Sequence, residues 1–202
     1  MGEEIKSALE LALERTADIK SDKGKLEEHD LRQTGKRIAS KFLHPIEDEE
    51  KINLQAELKK YSGKQHDLIK KGIFDVIMSN LTLPSDEIDE KLMQRLEEAL
   101  DILTGNKRQI SSVFQQLNQF FSQYLKNKQE IKSSLEQQFA PRLRQKEQAM
   151  AQKFGQEVHL DAVQDPEFAE HLKKNYAELD KQYQEALDQM KGQLRQILGM
   201  PA

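Results

Sequence analysis

The residues best suited to chemistry gather around one break in the second half of the chain. His159, Asp161, Asp165, Glu167 and His171 combine two imidazoles with three carboxylates, a donor set that suits a divalent cation. Their spacing follows no fixed ligand motif. The same residues also describe how a helix begins. Asp165 is a good N-cap, Pro166 sits at the favoured first position, and Glu167 lies in the first turn where the dipole favours an acid. The sequence therefore predicts a helix start here and no metal or cofactor. His29, His44 and His66 fall at surface or boundary positions. None of the five histidines follows a Glu by three residues, so the Glu-x-x-His pairs of helical di-metal carboxylate proteins are absent.

Other chemistries are missing by residue type. There is no cysteine, which removes thiolate metal sites, cysteine nucleophiles and disulfides. No glycine-rich phosphate loop, GxGxxG, HExxH or GxSxG occurs. The expectation is that the protein is not an enzyme. Lys107, Arg108, Lys126, Lys128, Lys132, Arg142, Arg144 and Lys146 are positioned to track phosphates. The isoelectric point is about 5.8, however, and no nucleic-acid motif accompanies them. The basic run reads as a solvated or partner-facing helix face, with Lys128 on its flank, and nucleic acid is disfavoured.

Helices must position these residues. Between 110 and 135, Ile110, Val113, Leu117, Phe120, Tyr124 and Ile131 alternate three and four residues apart, with Phe114, Phe121 and Leu135 beside them. That is an amphipathic stripe on one helix, predicted over 107–139 and interrupted at Ala140-Pro141. A helix with such a face needs cover. The segment 172–197 offers it: Tyr176, Tyr183, Met190 and Ile197 recur every seven residues, with Leu172, Leu179 and Ala186 at the other seam position. The candidate packing seam is Ile110, Leu117, Phe121 and Tyr124 against Leu172, Leu179, Tyr183 and Met190, within one chain or between chains. Residues 104–153 carry nine bases and three acids, and 154–202 nine acids and five bases, so the two stretches are complementary in charge. Val158, Leu160 and Ala162 alternate with polar residues between them, which suggests a short extended piece.

The first half reads as helices with thinner stripes. A helix over 3–19 carries Ile5, Leu9, Ala12, Thr16 and Ile19 on one face. Gly24 is expected to interrupt it, and a second piece runs over 25–43, too poor in apolar residues between 20 and 37 to be buried by itself. Glu47 to Glu50 suggest another helix start, and Ser62-Gly63 a kink. The stretch 68–83 is the most apolar of the chain. It reads as a core helix, with peripheral membrane contact as the competing reading. Pro84-Ser85 marks a boundary, with Ser85 the expected N-cap of a helix carrying Ile88, Leu92, Leu96 and Leu100.

Charged residues make up 33% of the 202, apolar ones 37%, and mean hydropathy is −0.80. This balance suits solvated amphipathic helices, and spaced apolar stripes argue against disorder. No window approaches a transmembrane segment, and the N-terminus lacks a signal-peptide pattern. The fold expected is all-α: an elongated bundle of long amphipathic helices with a coiled-coil-like hairpin. Two regions are expected, 1–83 and 84–202, or one continuous domain.

The opening Glu4-Ile5-Lys6-Ser7-Ala8-Leu9-Glu10-Leu11-Ala12-Leu13-Glu14 and Arg37-Ile38-Ala39-Ser40-Lys41-Phe42-Leu43 resemble the start of some uncharacterised bacterial all-helical proteins. The resemblance implies a cytoplasmic protein and no activity. In style, the long polar helices also resemble peripheral-stalk subunits of rotary ATPases, without the α/β domain that ends the E-type subunit. The function expected is a helical interaction or scaffold protein, self-associating or bound to another protein. The alternative is a membrane-surface or nucleic-acid-associated factor.

Overall fold

The computed structural model describes residues 8–46, 52–155 and 159–199, with side chains in the first helix from Gly24 onward. Six α-helices account for most of it: α1 (Ala8–Leu43), α2 (Leu54–Leu58), α3 (Gly63–Asn80), α4 (Glu90–Thr104), α5 (Lys107–Phe154) and α6 (Pro166–Ile197), with a 3-10 turn at Ala162–Gln164. No strand occurs among the described residues. The protein is all-α. The face from Ile5 to Ile19, the helix start at Glu47 to Glu50, and Val158 lie outside the described backbone or side chains.

The chain divides into two units: Met1–Leu81 with Gln94–Asn106, and Thr82–Met93 with Lys107–Ala202. The break at Leu81/Thr82 falls beside the boundary expected at 83/84. Most of α4, however, groups with the first unit rather than with the long helices that follow it.

In the first unit, α1 is continuous through Gly24, so the expected interruption is absent. A helical glycine costs about 1 kcal/mol relative to alanine, which the rest of a 36-residue helix can absorb. Glu28 pairs with Lys64 at 2.5 Å, and His44 is hydrogen-bonded to Asn80 at 3.2 Å. The numbering rises together in both helices, so α1 and α3 run in the same direction. Two glycines set their separation. A Cβ on Gly35 would lie 2.2 Å from the Ile69 carbonyl oxygen, and one on Gly72 2.1 Å from that of Arg32. The two backbones touch, which only glycine permits.

This contact explains how a helix so poor in apolar residues is held. Van der Waals contact between the backbones, Ile38, Ala39 and Leu43 on α1, and Ile69, Ile73 and Ile77 on α3 make up the packing. Arg32 Nε donates to Asp75 at 2.7 Å beside it. The apolar face of 68–83 is consumed here: Ile69, Ile73, Phe74, Ile77, Met78 and Leu81 are all buried.

Ser62-Gly63 is a break rather than a kink. Gly63 adopts φ 54° at the start of α3, and α2 is a separate single turn capped by Asn53. The cap of α4 also differs from expectation. Asp89, not Ser85, accepts the Leu92 N–H at 2.9 Å, so the helix starts later than Ser85 suggests. Leu96, Leu100 and Leu103 are its buried stripe in the first unit. Arg95 donates to the Leu43 carbonyl at 2.8 Å, supplying a cation to the C-terminal end of α1.

In the second unit, α5 runs unbroken for 48 residues through Pro141, about 72 Å at 1.5 Å per residue. The expected interruption at Ala140-Pro141 does not occur. α5 and α6 pair antiparallel: Tyr124 meets Asp180, Lys128 meets Tyr176, and Phe139 meets Phe168. Positions rise along one helix as they fall along the other. The connector forms the 3-10 turn where a short extended piece was expected, because the Asp161 side chain caps it at the Val163 N–H.

Candidate interaction site

The hairpin of α5 and α6 carries the residues singled out from the sequence. Ile110, Leu117, Phe121 and Tyr124 are buried on α5, and Leu179 on α6. Leu172, Tyr183 and Met190 are half-buried. On α5 the buried line also takes in Phe114 and Leu135, while Val113, Phe120 and Ile131 are half-exposed. The buried set keeps heptad spacing, Ile110, Leu117 and Tyr124 on one line and Phe114, Phe121 and Leu135 on the other, with Phe114 and Phe121 buried where Val113 and Phe120 lie at the edge of the seam. On α6, Phe168, Leu187 and Leu194 take the most buried places instead of the seven-residue tyrosine line.

Polar contacts fix the register. Tyr124 Oη donates to Asp180 Oδ1 at 2.6 Å, and Asn127 Nδ2 donates to Tyr183 Oη at 2.8 Å. Tyr176 Oη donates to the Lys128 carbonyl at 3.3 Å. Phe120 and Tyr124 lie 4.9 and 5.1 Å from the Tyr183 ring, distances typical of tilted aromatic packing. Burial first, then the Asp180 bond, pushes the Tyr124 phenol above its ordinary range. Lys128 is not a solvated flank residue. Its ammonium lies 5.6 Å from the Tyr124 ring and 5.1 Å from that of Tyr176, and it donates to the Ser85 carbonyl at 2.7 Å. Sequence spacing gives no sign of this, because Ser85 and Tyr176 are distant along the chain.

The five residues with metal-ligand chemistry each have a structural partner. Asp161 caps the 3-10 turn. Asp165 is buried and caps α6 through the N–H groups of Glu167 and Phe168. Lys146 also pairs with it. That ammonium, followed by the two N–H groups, holds the Asp165 carboxyl below the usual carboxylate range, against the opposing effect of burial. Glu167 pairs with Arg142. His159 lies 3.1 Å from Glu147, which also accepts the Leu160 N–H at 2.8 Å. The His171 ring packs 5.8 Å from that of Phe139. Among the described residues no group of three or more such side chains converges to hold a metal.

Sequence reading missed what lies beside the seam. Two open grooves follow one flank of the hairpin. One, of 520 Å³, is lined by Gln116, Gln119, Phe120, Gln123, Gln182, Tyr183 and Ala186. The other, of 630 Å³, is lined by residues of both helices including Asn127, Glu130, Ile131, Gln138, His171 and Asn175. The sequence carries eleven glutamines over 104–153, but their number alone does not place any of them on one flank. Towards the end of α5, Met150 and Phe154 are exposed, as is Val163 in the connector. No described helix is long and apolar enough to cross a membrane. No curated protein and no solved structure matches the chain. Residues 55–196, well over half of the chain, match the model of a family of unknown function (DUF6657), and the chain belongs to that family.

Proposed function

We propose that this protein is a non-catalytic helical interaction protein that works by self-association. One observation carries the reading: the chemistry-bearing side chains are committed to helix caps, ion pairs and ring contacts, while a long hairpin, fixed in register by Tyr124–Asp180 and Asn127–Tyr183, leaves a flank with one charged residue, Glu130, open. Reactive sites collect convergent polar groups in a pocket; this surface is built to be covered. Sedimentation velocity over a hundredfold range of concentration tests it. The expected result is a reversible shift to a larger species, and a monomer at every concentration overturns self-association.

A second reading, contact with a membrane surface, draws on the end of α5. Phe154 is 61% exposed and Met150 is exposed one turn before it, with the Lys153 ammonium 5.6 Å from the Phe154 ring. The stretch 68–83 does not support this reading, because its apolar face is covered within the first unit. Nucleic acid gains little support: Arg142 and Lys146 are paired with Glu167 and Asp165, and Lys126 and Lys132 lie near Glu130 and Glu136. Co-sedimentation with anionic vesicles at two salt concentrations tests the second reading. Salt-sensitive binding lost in Phe154→Ser supports it, and no binding at low salt sinks it.

A further inference from the structure

We propose that the amide-lined flank of the α5/α6 hairpin is the docking face for a second copy of this chain, hairpin against hairpin. This rests on the self-association reading and adds the surface and its chemistry. The two grooves follow one stripe on α5, advancing three or four residues at a time from position 116 to 138. Gln123 Nε2 donates to Asn127 Oδ1 at 2.7 Å and joins them.

The stripe is nearly free of charge. Of the sixteen residues lining the two grooves, Glu130 alone is an Asp, Glu, Lys or Arg. At the 33% charge of the whole chain about five are expected. Depletion of charge is the compositional mark of an interface centre, where bulk hydrophobicity is not. Half-exposed Phe120, Ile131, Tyr183 and Ala186 supply area to bury.

The chemistry also selects the occupant. A phosphate or acidic partner finds no Lys or Arg in the groove lining, and a basic partner finds one carboxylate. A primary amide both donates and accepts. A row of amides is therefore complementary to another copy of itself, as a two-fold interface requires, where the same patch serves both sides. A face with a single carboxylate also lets two copies of a chain of net charge −4 meet with few like charges in contact. The stripe runs about 33 Å along α5 and about 20 Å across two helices, a footprint of about 660 Å², close to the roughly 800 Å² per partner of a standard interface.

Two sets of variants of the full chain test this. Gln119→Lys with Gln123→Lys places like charges on both sides of the interface. Both side chains are exposed, and circular dichroism checks that the helices persist. The expected outcome is at least tenfold weaker self-association, with a Gln119→Glu, Gln123→Glu partner restoring it when mixed. The chain has no cysteine, so single substitutions report contact directly. Gln116→Cys, Gln123→Cys, Ser134→Cys and Gln138→Cys lie on the stripe, and Ser122→Cys and Gln129→Cys on the other side of α5. Disulfide dimers are expected from the first group alone. Association unchanged by the lysines, or cross-links from the second group, overturns this face and leaves self-association standing. A monomer at every concentration overturns both.

Discussion

At the scale of single residues, four helical glycines with different surroundings make opposed predictions. A Cβ added at Gly24 or Gly192 would meet nothing within 4 Å, whereas one at Gly35 or Gly72 would meet the backbone of the facing helix. Gly24→Ala and Gly192→Ala are expected to raise stability by about 0.5–1 kcal/mol, the entropic cost of glycine in a helix. Gly35→Ala and Gly72→Ala are expected to lower it by about 1–3 kcal/mol or more, because a packed backbone must move apart. Urea midpoints of the four variants check both signs. In the seam, Leu117 is fully buried and Leu179 nearly so. Leu117→Ala and Leu179→Ala are each expected to cost about 2–5 kcal/mol, with Leu179 at the lower end. Lys128→Glu is expected to cost about 1–2 kcal/mol, more than an exposed charge pair, since it removes contacts with two tyrosine rings and a carbonyl bond.

At the scale of elements, the connector between α5 and α6 depends on Asp165. Its folded pKa lies below the ordinary value, with Lys146 the first cause. The sign follows: its contribution to stability is complete above the unfolded pKa, about 3.9, and is lost as pH falls through the lower folded value. Asp165→Asn keeps a capping side chain but loses the Lys146 pair. The variant is expected to be less stable than the parent at pH 7, with the gap closing in acid below about pH 4. Thermal melts at pH 7 and pH 3 measure it, and a gap independent of pH assigns Asp165 to capping alone. Pro141 tests α5 in the opposite direction. It lacks the N–H that would bond to the Gln137 carbonyl, a defect that costs about 3 kcal/mol in a helix interior. Pro141→Ala is expected to raise the urea midpoint of the hairpin, and a fall shows that the packing against Phe168 requires the proline's geometry.

At the scale of the whole molecule, the two units rely on different packing. The family match begins within α2, so α1 lies outside it, although α1 covers Ile69, Ile73 and Ile77 within the matched region. Deleting residues 1–53 is expected to abolish amide protection in α3 while the α5/α6 hairpin keeps its own. Hydrogen exchange by mass spectrometry distinguishes the units, and persistent protection of α3 shows that it folds without α1. Circular dichroism of the full chain is expected to be that of a helical protein without sheet.

The sequence by itself determined the helices and most of what they bury. Apolar spacing marks the seam of α5 and α6 because a helix repeats every 3.6 residues wherever it lies, and the Asp165-Pro166 start is legible because its cap is local. Charge complementarity between 104–153 and 154–202 pointed to the pairing that Arg142–Glu167 and Lys146–Asp165 make. Other features depend on contacts between distant parts of the chain, and the tertiary structure alone decided them. Gly35 and Gly72 read as weak points of two helices until each is seen against the other's backbone. Gly24 and Pro141 are breakers by propensity, but each lies within a continuous helix. Lys128 looks solvated until Ser85 and Tyr176 are brought to it. The glutamines form an amide-rich, charge-poor flank only when α6 supplies Gln182 and Asn175 to its other side. Spacing reports which face of a helix is turned inward; what that face meets is set by the fold.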